Sequence, residues 1–214
     1  MSATTYHPPA PSAQRTIYVD DELIVVDKPA GLLSVPGRGP EKAVCAQTYA
    51  AAMFGTALVV HRLDMDTSGL LVFARTKYSQ SAVSKQFELR RVEKSYEAIV
   101  TGRLAQETGV IAQPIAKYSL KRPIRHTDPD GQEAITYWSR LSATHSTSRV
   151  SLSPKTGRSH QLRLHMSTIG HSILGDPLYG NPDSAPRLLL HARRLKLFHP
   201  SDGVAFCFRV DVPF

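Results

Sequence analysis

The chain has 214 residues, 26 Lys plus Arg against 18 Asp plus Glu, a formal net charge of +8 and two cysteines, Cys45 and Cys207. That length can bury a sizeable core without cross-links, and two cysteines exclude a disulfide framework or a cysteine-built zinc site; both are read as small buried apolar residues in a reduced setting. Residues 1–16 lack the apolar core of a signal peptide and no later segment holds about 18 uninterrupted apolar residues, so a soluble, cytoplasmic protein is expected.

In chain order, the Pro-, Ser- and Ala-rich residues 1–15 read as a flexible tail, with order beginning near Thr16. Leu23 to Val26 is a short buried strand ending in a Lys28-Pro29 turn and a Gly/Pro loop. Residues 44–54 form an Ala-rich helix stopped by Gly55. Leu58 to Val60 leads into the polar loop His61-Arg62-Leu63-Asp64, from which the apolar strand Leu70 to Ala74 emerges. A helix is expected from about Ser79 to Arg91, with Val83, Phe87 and Arg90 on neighbouring turns. Tyr96 to Val100 alternates and stops at Gly102, as a strand does.

Lys117, Lys121, Arg122, Arg125 and His126 make an acid-free basic run around Pro123, read either as a surface loop gripping RNA backbone or as a solvated loop. Ala134 to Leu141 and Ser148 to Leu152 are two further strands. Ser159 to Gly170 is a helix closed by its glycine, and Phe206 to Val212 alternates again. No repeat and no dividing linker is visible, so one α+β domain over residues 16–214 is expected. No acid lies between Glu133 and Asp176, whereas Arg140, Arg149, Lys155, Arg158 and Arg163 do. This interval predicts a contiguous basic surface for a polyanionic partner, nucleic acid above all.

The chain lacks the serine-hydrolase elbow, the phosphate loop, the zinc-protease helix and the dinucleotide-binding turn. His160 and His165 are five apart and fall on different helix faces, so no metal is expected there. Asp64 enters a buried strand beside Arg62 and near Asp66, Thr67 and Ser68. Taken alone it reads as a loop-capping carboxylate. The block Lys155 to Arg163 nevertheless packs more donors than a helix start needs, and a buried carboxylate would need one of its arginines as partner.

These residues resemble the RluA-type RNA pseudouridine synthases. His61-Arg62-Leu63-Asp64 with Thr67-Ser68-Gly69 is similar to the family's signature loop, Lys28-Pro29-Ala30-Gly31-Leu32 to its first strand and turn, and Lys94-Ser95-Tyr96-Glu97-Ala98 to its Lys-x-Tyr-x-Ala strand. Thr156 to Arg163 resembles its Thr-Gly-Arg-x-His-Gln-Leu-Arg block, and residues 170–180 and 187–200 resemble its tail. The segments occur in the family's order over nearly the whole chain after residue 15.

The resemblance implies an α+β fold with a mixed, mainly antiparallel central sheet flanked by helices. It implies the compact form without an N-terminal S4 module, whose type acts on both tRNA and large-subunit 23S rRNA. It implies a catalytic Asp64, which adds to sugar or base or assists proton removal from the ribose, with Arg163 as its ion-pair partner and Tyr96 stacked on the uracil. Arg62 is expected to fill the space of a flipped uridine or to hold a phosphate. His61, Lys94, Arg158, His160, Lys121, Arg122 and Arg125 are expected to contact RNA. Neither cofactor nor metal is implied, and the enzyme is expected to be a monomer. Two positions depart from the pattern. Gly131-Gln132-Glu133-Ala134-Ile135-Thr136 stands where the family has Gly-Lys-x-Ala-x-Thr, and Asp66 adds a charge. A noncatalytic RNA-binding factor and a metal-dependent nuclease are the competing readings, and release of tritium from C5 of labelled uridines separates isomerisation from both.

Overall fold

The computed structural model describes residues 6–119 and 122–214, with backbone alone for residues 118, 119, 122 and 123. The described chain forms two compact units, one holding the chain up to Val92 together with Arg194–Asp211, the other Glu93–Arg193 with Val212–Phe214.

The first unit contains β1 (Arg15–Val19), β2 (Leu23–Lys28), α1 (Ala46–Phe54), β3 (Leu58–Val59), β4 (Ser68–Ala74) and α2 (Lys77–Glu88). β2 pairs antiparallel with both β1 and β4, and β3 joins the end of β4. All seven residues of β4 are buried, which is why its sequence is a continuous apolar run and not an alternating one. Leu70 and Val72 pack with Leu23, Val25 and Val83 of α2 in one core cluster. Burying each such side chain contributes roughly 1.5–3 kcal/mol.

α2 starts two residues before the expected Ser79 because Thr76 caps it: the Thr76 side chain accepts from the Ser79 N–H at 3.0 Å and the Ser79 hydroxyl accepts from the Thr76 N–H at 3.1 Å. It stops short of Arg91 because Arg90 adopts φ +57°, a left-handed conformation that no helix continues through. β11 (Leu190–Phe198) runs from the second unit into the first, where Arg194 to Phe198 pairs with β12 (Ala205–Arg209).

Residues 6–14, expected as a flexible tail, are tied to the first unit. The Tyr6 hydroxyl donates to Val44 O and accepts from Leu33 N–H, the Tyr49 hydroxyl donates to Pro9 O, and Gln14 Nε2 donates to Ala46 O. Cys45 is buried as expected, but Cys207 is exposed. It falls on the outward phase of β12, with Arg194 Nε donating to its sulfur at 3.3 Å.

The second unit is built on β5 (Glu93–Thr101), β6 (Thr108–Ile111), β9 (Thr136–Ala143) and β10 (Thr147–Pro154), paired antiparallel in the order β5-β10-β9-β6, with α3 (Gln161–Thr168) and a separate hairpin, β7 (Ile115–Ser119) and β8 (Arg122–Thr127). The inward residues Ala98, Val100, Val150 and Leu152 join Trp138, Leu162 and Met166 in one core cluster. The α+β class is as expected, and the pairings named above are antiparallel. No helix among the described residues is long and apolar enough to cross a membrane.

Candidate active site

The loop from His61 to Thr67 is held from several sides by the first unit. Ser34 clamps Leu63, its hydroxyl donating to Leu63 O at 2.8 Å and accepting from Leu63 N–H at 3.0 Å. His61 accepts from Val72 N–H through Nε2 at 3.0 Å and stacks on Phe87 with centroids 4.5 Å apart. An imidazole nitrogen that accepts a backbone N–H is unprotonated, so this bond fixes the tautomer. The fully buried Lys28 donates through Nζ to the carbonyls of Pro29 at 2.9 Å, Leu32 at 2.7 Å and Met65 at 2.9 Å. Burial lowers its pKa to about 7, against the carboxylates of Asp66, Asp64 and Asp27, which favour the ammonium.

Gly69 follows with φ +111°, opposite Lys28 in the β2–β4 register. This backbone conformation is one that a side chain resists, and it turns the loop into the strand. Asp64 and Asp66 are half-buried and Arg62 is exposed. A carboxylate on a loop whose backbone is pinned on both sides of it is preorganised in the way catalytic groups require.

In the second unit Arg163, on α3, is 3% exposed, and its Nε and Nη2 fork onto Asp176, at 2.8 Å and 2.6 Å. Asp176 Oδ1 also accepts from the N–H groups of Leu178 and Tyr179. Burial alone would raise this carboxyl; the Arg163 guanidinium and the two backbone donors outweigh it and hold it below the ordinary carboxylate range.

The turn before α3 is fixed by a second set of bonds. Gln161 Oε1 accepts from the Thr156 hydroxyl at 2.7 Å and from Arg158 N–H at 3.0 Å, while its Nε2 donates to Ile135 O and to Thr136 Oγ1. His165 bridges Thr136 Oγ1 and Gln113 O, and burial lowers its pKa, so it acts as a neutral bridge in the core. His160 stands at φ +58° before the helix with Nδ1 2.9 Å from the Tyr179 hydroxyl, and that hydroxyl accepts from Arg125 N–H at 2.8 Å. Tyr96 is half-buried against the core cluster. Lys94 Nζ hangs over the 156–158 turn, where a Cβ on Gly157 would meet it at 3.6 Å, and burial lowers the lysine's pKa. Arg158 Nε donates to Glu133 O at 2.9 Å.

Residues 22–168 match the family described as RNA pseudouridylate synthase. The chain is 41% identical over its full length to the full length of a Haemophilus influenzae protein called dual-specificity RNA pseudouridine synthase RluA, and 40% identical, again over both full lengths, to the Escherichia coli K12 protein of that name. The chain belongs to the RNA pseudouridylate synthase family. Among solved structures, human RNA pseudouridylate synthase domain containing 1 superposes with a TM-score of 0.82 at 27% identity, over 97% of this chain and 87% of that one. This pseudouridine synthase is therefore an isomerase that converts uridine to pseudouridine in RNA.

Not every residue singled out from the sequence of this synthase takes the place expected of it. His61 has an internal structural task, as a prop for the loop. Lys121 lies outside the described residues, as does the side chain of Arg122. The contiguous basic surface expected of the acid-free interval is not what forms. Arg149 pairs with the buried Glu97, Arg140 Nη2 lies 3.6 Å from Glu107, and Arg163 is buried on Asp176, so tertiary neighbours supply the acids that the interval lacks. Arg158 lies around one space with Lys117 and Arg125 of the β7–β8 hairpin. Sequence reasoning also missed Lys28, Ser34, Asp176 and Tyr179 as parts of the site's framework. Asp176 had one usable signal: it is the acid that ends the acid-free interval. No group of three or more His, Cys, Asp or Glu side chains among the described residues is arranged to hold a metal ion.

Proposed function

We propose that this synthase acts on unpaired uridines presented by structured RNA, in the tRNA anticodon stem-loop and in large-subunit 23S rRNA, and that Asp64 carries the chemistry. The relatives' name, dual-specificity RNA pseudouridine synthase, supports the substrate pair. The observation that carries the role of Asp64 is the pinning of its loop, with Leu63 on one side held by Ser34 and Met65 on the other held by Lys28.

The reaction breaks the bond between uracil N1 and ribose C1′, turns the detached base, joins C5 to C1′, releases the C5 proton and takes one up at N1. The site must hold base and sugar together while they are apart, and an ionised carboxylate does this by adding to sugar or base or by assisting removal of a ribose proton. In this reading Arg163 supplies the countercharge, and the Tyr96 ring takes the face of the uracil. The target uridine leaves its stack to reach these groups, and Arg62 takes the space it vacates. No cofactor is needed for these steps, and the enzyme works as a cytoplasmic monomer.

The test is tritium release from tRNA and 23S rRNA fragments labelled at uridine C5, with Asp64→Asn alongside. The wild type should release tritium from both RNAs, while the variant keeps its RNA affinity and loses turnover. Residual turnover within about tenfold, roughly 1.4 kcal/mol in the barrier, would remove Asp64 from the chemistry. Release from one RNA only would remove the dual target.

A further inference from the structure

The second unit carries a groove of about 520 Å³ between the β7–β8 hairpin, the turn at residues 130–132 and the turn at residues 157–159. Its volume falls within the range of small-ligand clefts, about 300–1,000 Å³. Lys117, Arg125 and Arg158 line it, with Asp130 the only acid in the lining among the described residues. Three cations around one space will hold a phosphate.

Two further observations say that the groove is built for an occupant. Arg125 Nε is buried and has no hydrogen-bond partner among the described residues. A buried charged donor left unmatched is unfavourable, so an acceptor brought in by a ligand would relieve it. The wall opposite is rigid: Ile115 and Gln132 exchange two backbone hydrogen bonds, both at 2.9 Å. A Cβ on Gly131 would come within 2.7 Å of Ile115 C and 2.9 Å of Asp128 O, so the turn presses on β7 as closely as glycine allows. Gln132, which stands where the family pattern has lysine, also lines the groove.

We propose that this groove is a second nucleotide subsite, which takes one unpaired ribonucleotide of the substrate RNA other than the uridine that is isomerised. Arg125 and Lys117 hold its phosphate, and Asp130 and Gln132 meet the edge of its base. A carboxylate accepts only, so bases with an exocyclic amine are preferred there over uracil. The proposal rests on the reading of the chain as an RNA-modifying enzyme and adds a position at which that enzyme discriminates between RNAs.

The experiment follows backbone amide resonances of the whole protein while CMP, UMP or inorganic phosphate is added. CMP should move the amides of Gly131, Gln132 and Gly157 saturably, binding at least threefold tighter than UMP and tenfold tighter than inorganic phosphate. Arg125→Gln should weaken the CMP response at least tenfold, and Gln132→Lys should strengthen it, which keeps the test decisive if the first variant disturbs the hairpin. Asp64→Asn should respond as the wild type does. The subsite is overturned by shifts confined to residues 61–69, by no shifts at all, or by equal affinity for CMP and phosphate. Tritium release by a protein whose groove stays silent sinks the subsite and leaves the enzyme intact; a responsive groove without tritium release sinks the enzyme reading instead.

Discussion

Lys28 Nζ donates to the carbonyl oxygen of Met65 at 2.9 Å, across 37 residues of sequence, and thereby ties the end of β2 to the residue next to Asp64. An ammonium has three N–H donors, and all three find carbonyls here, with Pro29 and Leu32 taking the other two. An amine has only two, so charge and loop geometry are coupled at this residue.

The coupling gives a stability test with a definite sign. The folded chain loses the Lys28 proton at about pH 7, whereas the unfolded chain loses it near the ordinary lysine value of about 10.4. Between those values the unfolded state holds the extra proton. Wild-type stability should therefore rise with pH in that window, by up to about 1.4 kcal/mol per unit, with the penalty for the buried charge in full below it. Urea midpoints for Lys28→Met should lack that slope, and the variant's turnover should fall about tenfold or more because the Met65 tether is gone. Parallel slopes for the two proteins would show that Lys28 keeps its proton throughout.

Removing either member of the buried Arg163–Asp176 pair strands a charge, so Asp176→Ala and Arg163→Met should each lose about 3–5 kcal/mol in urea unfolding. The double variant Arg163→Met/Asp176→Leu should lose less than the two single losses summed. Because the Asp176 carboxyl is held below its ordinary value, its contribution is complete above the usual carboxylate range and should fade as pH drops through the lowered one.

Tyr179→Phe removes the hydroxyl that accepts from Arg125 N–H and meets His160 Nδ1. The fold should persist, with a loss of about 1 kcal/mol, while amide exchange at Arg125 quickens and RNA affinity falls several-fold. Unchanged exchange at Arg125 would mean that the hairpin is held by other contacts.

Arg62→Ala should slow single-turnover isomerisation and leave most RNA affinity in place, because extruding a base costs a few kcal/mol and the side chain that fills the gap offsets part of it. A substrate whose target uridine is already unstacked should rescue the variant more than the wild type. If Arg62 only holds a phosphate, the defect will appear in binding and vanish equally on both substrates at saturating RNA.

The sequence by itself determined the elements whose cause is local, and it marked the motif residues. The continuous apolar run at 70–74 had to be a buried strand, Gly55 had to end α1, and the resemblance to the family's motifs marked Asp64, Tyr96 and Arg163. Only the tertiary structure decided which charges neutralise one another. Arg163 meets Asp176 at 13 residues' separation, Arg149 meets Glu97 at 52, and Lys28 reaches Met65 at 37. A guanidinium or an ammonium donates to any suitably placed oxygen, and nothing in its neighbours along the chain says which one the fold will bring near. The expected basic surface was misjudged for the same reason: a gap in acids along the sequence is not a gap in space, because strand pairing sets Glu97 beside β10 and the segment after α3 carries Asp176 back to Arg163.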